Sequence, residues 1–341
     1  MPDRPDVLIL GTGPAGAATA IFLLLQGLRV VLIGRPEPVG ENRLLVGESL
    51  SPAAGPLLRE LGVWKPFGLG EHLPWNGNIS YWGSAQPQYT DFIRHPCGPG
   101  WHIDRGWFNG LLLDRAVALG AFIYRPEGVF ELEETGAGWL VSYPALRFAA
   151  PFLVDASGAA HVLSRRLRVA RIKTHEQLAL TAFLQTEGWP ADGQSLVESA
   201  PDGWWYTAQI PSDRRVVCYF TSRYSSSSWG AAPDPWSRLL GQTRFTAARA
   251  PGSLLAPPRF TNAASSYSER LFGDRWVAVG DAACRYDPLT AHGLMMALTS
   301  ARDAARAIGS GAALAEYAYR VKDLFLHAEA ECRLMYRRVN L

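Results

Sequence analysis

Residues 280–294, GDAACRYDPLTAHGL, concentrate side chains that can do chemistry. Gly280 and Asp281 follow the apolar run RWVAV, a strand that would deliver them at its C-terminal end. The Asp281 carboxylate only accepts hydrogen bonds, so it suits a partner rich in hydroxyls better than a phosphate. Asp287-Pro288 fixes a turn, and Gly293 and Leu294 open a helix whose free N–H groups favour an electron-rich atom. His292 stands one residue before that helix and has the pKa range for proton exchange. Near the other end of the chain, GTGPAG at 11–16 has the spacing GxGxxG. Gly11 permits a tight turn, Gly13 lets backbone approach a pyrophosphate, and Gly16 lets strand and helix pack closely. Pro14 and Ala15 then begin a helix whose N-terminus faces phosphates. The pattern predicts a bound dinucleotide.

These residues need a scaffold. DVLILGTGPAGAATAIFLLLQGLRVVLIG reads as a strand over Val7 to Leu10, a helix from Ala15 to Gln26 and a strand from Arg29 to Ile33. An acidic residue commonly ends the second strand of such a unit, where it binds ribose. Here Gly34 and Arg35 stand at that place, which leaves Glu37, Glu41 or Arg35 for the adenosine end. In VGESLSP, Ser51-Pro52 reads as an N-cap and first helical residue of a helix ending near Leu61. Asp104 caps a further helix, and FLVDASG, with Asp155, repeats strand and glycine turn. Residues 170–270 alternate strands with turns, as an antiparallel layer does. A last helix spans 313–338.

The expected fold class is therefore α/β. A discontinuous dinucleotide domain (1–82, 97–168 and 271–310) is interrupted by a mainly antiparallel substrate sheet (83–96 and 169–270), and the chain ends in a helix within 311–341.

The 341 residues carry a net charge of +2, with arginines dispersed, which argues against nucleic acid as a partner. The longest apolar run, AIFLLL, is far too short to span a membrane. Cys97, Cys218, Cys284 and Cys332 form no CxxC pair or metal-ligand spacing, the pattern of reduced thiols in a cytoplasmic protein. MPDRPDVLIL lacks the basic region and cleavage site of a signal peptide.

Several stretches together resemble FAD-dependent monooxygenases of the aromatic-hydroxylase fold, and within it the tryptophan-halogenase-like group. GTGPAG resembles the first FAD motif, and HIDRGWFNGLLLDRA the segment whose arginine, here Arg105, approaches FAD. LVDASG resembles the middle motif, with Asp155, and GDAACRYDPLTAHGL the second FAD motif. The resemblance implies a glutathione-reductase-type FAD domain, with Asp281 on the ribityl and pyrophosphate region and Pro288, Gly293 and Leu294 beside the flavin. VGESLSP resembles a loop close to the flavin in halogenase-like proteins and brings in Glu48 and Ser49. GWWYTAQIP resembles a strand of flavoproteins that oxidise tryptophan side chains while maturing quinone-cofactor oxidases. It implies that Trp204, Trp205 and Tyr206 line the substrate, although strand alternation sends Trp205 to the opposite face from the other two.

The implied activity is hydroxylation of an electron-rich aromatic ring, an indole or a tryptophan side chain, through flavin hydroperoxide, with His292 and Glu48 as catalytic candidates. The substrate is a small aromatic molecule or a residue in a protein. Electrons come from NAD(P)H or from a separate flavin reductase, since no second GxGxxG is evident. Halogenation is the alternative. Against it, Lys65 is the only lysine between Glu48 and Lys173, Thr290 stands where the halogenase glutamate would, and the WxWxIP signature is absent. A flavin-dependent reductase or a non-catalytic flavoprotein is compatible with the same departures. The chain stops soon after its last helix, from which a more open pocket is expected.

Overall fold

A computed structural model describes residues 4–35, 44–128, 130–144, 146–190, 192–222 and 234–341. The strand Val7–Leu10 is buried at all four positions. A strand apolar on both faces has to lie inside a covered sheet. It pairs in parallel with Val30–Ile33 on one side and Phe152–Asp155 on the other. Trp276–Ala278 and Phe122–Tyr124 extend this sheet, and Phe272–Gly273 adds a short antiparallel edge to make six strands. The helix Pro14–Leu25 packs against the helices Arg105–Ala118 and Gly293–Ala307. A three-stranded meander, Glu131–Thr135, Gly138–Tyr143 and Leu146–Ala150, also packs against the central strands.

The second layer is an eight-stranded sheet. Leu178–Gln185, Arg214–Thr221, Gly203–Ile210 and Gln194–Ala200 are antiparallel neighbours in that order. Arg259–Asn262 and Ser253–Leu254 both pair with Leu178–Gln185. At the other edge Gly77–Tyr81 joins Gln194–Ala200 in parallel, followed by Gln88–Asp91. The strand Gly77–Tyr81, within the segment 1–82 assigned to the dinucleotide domain from sequence, thus pairs into this second sheet. Its partner lies more than a hundred residues later, and no local pattern reports such pairing.

Two further corrections are local. The helix expected from Ser51-Pro52 begins at Ala54, and its N-cap residue Ala53 makes no side-chain cap. Ser51 contributes its carbonyl instead, accepting the Ala54 N–H at 2.9 Å. Arg171–His175, Ser265–Ser268 and Cys284–Arg285 form a small antiparallel sheet of their own.

The last helix, Gly311–Arg337, is a single 27-residue element. Near its start the Tyr317 hydroxyl donates to the Ala278 carbonyl at 2.7 Å. Near its end the Tyr336 hydroxyl donates to Asp287 Oδ1 at 2.8 Å. It therefore staples the sheet to the loop before Gly293. Among the described residues no helix is long and apolar enough to cross a membrane.

Candidate functional site

Three glycine-containing turns leave the C-terminal ends of three adjacent parallel strands: Gly11–Gly16 after Leu10, Ala156–Gly158 after Asp155, and Gly280–Asp281 after Trp276–Ala278. Open α/β sheets bind their ligands at this edge. Close packing explains which glycines are obligatory. Gly11 has φ +118°, and a Cβ there would lie 2.2 Å from the Ala156 carbonyl oxygen. A Cβ on Gly16 would lie 2.1 Å from the Gly11 oxygen, and one on Gly280 would lie 2.7 Å from Ala15 Cβ. Gly11, Gly16 and Gly280 thus let the turns touch one another and do not themselves line the cavity in front of them. Gly13 does line it, and a Cβ there would meet nothing within 4 Å. The helix behind Gly13 has Pro14 in its first turn and no side-chain cap, so its leading N–H groups are left for a ligand.

The cavity has a volume of about 380 Å³. Pro14, Ala15, Asp281 and Pro288 line it on the parallel-sheet side, together with the helix start His292, Gly293 and Leu294. Trp204, Tyr206, Cys218 and Phe220 line it from the antiparallel sheet. Glu48, Ser49 and Arg105 complete it.

A family model described as an FAD binding domain matches residues 4–339. The chain belongs to that family. Among its relatives, a protein named FAD-dependent oxidoreductase LodB, from Marinomonas mediterranea, is 29% identical over 89% of this chain and 85% of its own. Of solved structures, the flavin-dependent halogenase CmlS superposes with a TM-score of 0.84 at 24% identity, over 95% of this chain and 63% of its own. QhpG, a peptidyl tryptophan dihydroxylase essential for tryptophylquinone cofactor biogenesis, superposes with a TM-score of 0.75 at 23% identity, over 98% of this chain and 75% of its own. The expected fold, an FAD-binding α/β domain with an inserted sheet and a C-terminal helix, stands, as does the membership of an FAD-dependent oxidoreductase family.

In this flavoprotein the polar part of the cavity is one connected group. Glu48 is 4% exposed. Its Oε2 accepts the Gly47 N–H at 2.9 Å, and its Oε1 accepts the Tyr206 hydroxyl. Since the single phenol proton goes to Glu48, Tyr206 accepts in turn from Ser49 Oγ at 2.9 Å. Burial, reinforced by the negative charge of Glu48, pushes the Tyr206 phenol well above its ordinary pKa. Arg105 Nη1 donates to the Gly47 carbonyl at 2.8 Å, while its buried Nε has no partner among the described residues. Burial also raises the pKa of Asp281, opposed by Arg285, Arg171 and Arg105.

His292 is the N-cap residue of its helix but makes no side-chain cap. Desolvation lowers its pKa below the usual imidazole value, against the field of Glu331. Its ring stands edge-on to Tyr286, with centroids 6.4 Å apart.

Three expected site residues lie elsewhere. Asp155 is fully buried, and its carboxylate takes the N–H groups of Ser157 and Leu163 and the Ser157 hydroxyl. It shapes the turn that closes against Gly11 rather than facing a ligand. Trp205 points away, into an apolar cluster with Leu180, Val217, Tyr219 and Trp236. Arg35 is exposed and off the cavity, and the alternatives Glu37 and Glu41 lie outside the described residues.

Sequence reasoning missed Arg171, Arg285 and Tyr286. Arg285 and Tyr286 line the cavity, and their place inside the GDAACRYDP stretch was a usable signal. Arg171 belongs to no motif and reaches this region only through the small three-stranded sheet. Neither Thr290 nor any of the three lysines, Lys65, Lys173 and Lys322, lines the cavity. Thr290 Oγ1 donates to the Asp287 carbonyl at 2.8 Å within its own turn.

Proposed function

We propose that this protein is an FAD-dependent monooxygenase that hydroxylates an electron-rich aromatic ring, an indole or a tryptophan side chain. The observation that carries the reading is the Ser49–Tyr206–Glu48 relay, a hydrogen-bonded chain ending on a buried carboxylate at the wall of the cavity.

The residues present fit FAD. The open Gly13 and the uncapped helix behind it suit the pyrophosphate, and Asp281 suits ribityl hydroxyls. The Gly293–Leu294 helix start favours negative charge on the ring, and the orphaned Arg105 Nε is a spare donor nearby. Bound and reduced, FAD would supply the activation of dioxygen and one oxygen atom for the substrate.

The chain's own residues do the rest. Trp204, Phe220 and Tyr206 present apolar and aromatic surface that holds a ring and excludes water. Substitution of a ring hydrogen by hydroxyl releases a proton. Ser49 would take it from the substrate side and pass its own to Tyr206, which passes its proton to Glu48. His292, whose side chain does not cap its helix, would be placed to exchange protons at the flavin edge. NAD(P)H or a separate flavin reductase would supply electrons, and the substrate is a small aromatic or a residue presented by a protein.

Halogenation is the second reading, favoured by the fold shared with CmlS. The absence of a cavity-lining lysine weighs against it, since the halogenase-like resemblance implies a lysine that handles hypohalous acid.

One experiment separates the readings. FAD-loaded protein is reduced, exposed to isotope-labelled dioxygen with halide and a panel of indoles and tryptophan peptides, and the products are weighed. Hydroxylation predicts gain of one labelled oxygen atom. Halide incorporation, or no product although FAD is bound, overturns it.

A further inference from the structure

Arg171 lies outside the cavity, yet its side chain makes six hydrogen bonds to the turn and strand beside it among the described residues. Its Nη2 donates to the Asp281 carbonyl at 2.7 Å, and its Nη1 to the carbonyls of Ala282 at 2.7 Å and Ala283 at 3.3 Å. Three consecutive peptide oxygens of the second FAD motif thus converge on one guanidinium. The remaining donors are also engaged. Nε reaches Ser266 Oγ at 3.0 Å, Nη2 the Ser266 carbonyl at 3.2 Å, and Nη1 Ser268 Oγ at 3.3 Å. Both serines lie on Ser265–Ser268, the strand that pairs with Arg171–His175 and with Cys284–Arg285.

All these acceptors are neutral. No carboxylate forms an ion pair with Arg171 among the described residues, so a largely buried cation is left without a counter-ion. A buried, uncompensated charge is expensive, and its retention calls for an anion close by. Burial lowers the pKa of Arg171, opposed by the fields of Cys284, Asp281 and Asp155, and of these only Asp281 lines the cavity. Peptide planarity adds a second effect: carbonyls drawn toward Arg171 turn the amide N–H groups of the same planes the other way.

We propose that Arg171 is a positioning residue for the flavin, clamping the Gly280–Ala283 turn from outside the cavity and compensating the charge of Asp281 and of the anionic cofactor in front of it. The inference rests on the placement of FAD proposed above. Burial already raises the pKa of Asp281, and the groups facing it are Arg285 on its own loop, Arg171 from the small sheet and Arg105 from the helix start, with Glu48 beyond Arg105. Without Arg171 one of the three opposing cations is gone. Asp281 would then take up a proton at higher pH than in the parent, and FAD affinity would fall as pH is lowered.

The test measures FAD dissociation constants, by flavin fluorescence quenching, across pH for the parent protein, Arg171→Lys, Arg171→Met and Asp281→Asn. Apoprotein melting is followed in parallel. Arg171→Met is expected to bind FAD at least about tenfold more weakly, with a pH-dependent loss absent from the parent. Arg171→Lys should recover the charge but not the forked geometry, and fall between the two. The pH-dependent part should vanish in Arg171→Met combined with Asp281→Asn. FAD affinity and pH profile in Arg171→Met equal to the parent's would overturn the proposal. If Arg171→Met does not fold, Arg171→Lys decides: parent-like affinity at every pH then overturns it. Failure of the parent to bind FAD would instead sink the cofactor placement.

Discussion

The Tyr206 hydroxyl donates to the Glu48 carboxylate, joining a loop packed on the FAD-type domain to the middle of the antiparallel sheet. The residues are 158 positions apart in the chain. The bond sets the polarity of the whole cavity, because it commits the phenol proton to Glu48 and leaves Tyr206 as an acceptor for Ser49.

Breaking this pair should slow chemistry more than binding. Glu48→Gln keeps the shape but removes the terminal base, and turnover should fall by about a hundredfold or more, the usual scale of general-base loss. Tyr206→Phe should fall comparably, and the double variant little further, because the two act as one unit. Flavin absorbance of the purified variants should match the parent, and product formation under single-turnover conditions is the measurement.

Two glycines of one motif should fail differently. Gly11→Ala puts a Cβ 2.2 Å from the Ala156 oxygen on a backbone with φ +118° and should unfold or severely destabilise the domain. Gly13→Ala meets no atom within 4 Å, so apoprotein melting should hardly change while FAD affinity falls. Melting temperature and FAD titration, run side by side, check the contrast.

The paired tryptophans should separate function from stability in the same way. Trp205 is 1% exposed in a cluster behind the sheet, and Trp205→Ala should cost about 3–5 kcal/mol of stability. Trp204 stacks on Phe220, with centroids 4.1 Å apart, at the cavity wall. Trp204→Phe, which keeps a ring in that wall, should cost less stability than Trp205→Ala and raise KM for the aromatic substrate. Calorimetry and steady-state kinetics read the two effects.

Acid sensitivity should trace to His102. Burial lowers its pKa to about 4, and its ring stacks on Trp75 with centroids 5.6 Å apart. The unfolded chain binds this proton near pH 6.5 and the folded chain only near 4, so stability drops as pH falls between those values. The difference corresponds to about 3 kcal/mol, with no further loss from this group below pH 4. His102→Gln should flatten that part of the pH–stability curve in denaturant titrations. The depressed pKa of His292 acts with the same sign below its unfolded value.

What was legible in the sequence was local. The turn at Gly11–Gly16, the Asp104 cap, whose carboxylate accepts the Trp107 N–H at 2.8 Å, and the strand–turn at Gly280–Asp281 each depend on neighbours within a few residues. Their residue types therefore declare them. The alternation of Trp204, Trp205 and Tyr206 likewise announced that only one set faces the cavity, since side chains of a strand alternate by geometry. Tertiary structure decided the rest. Which face of that strand met the cavity depended on the register of the eight-stranded sheet, and the sheet edge at Gly77–Tyr81 on a partner far along the chain. Asp155 looked like a ligand-binding acid until its own turn supplied three donors. Arg171 and the Glu48–Tyr206 bond carried no local signal at all. Hydrogen bonds between distant segments follow from where the packed layers put those segments, and neither spacing nor residue type encodes that.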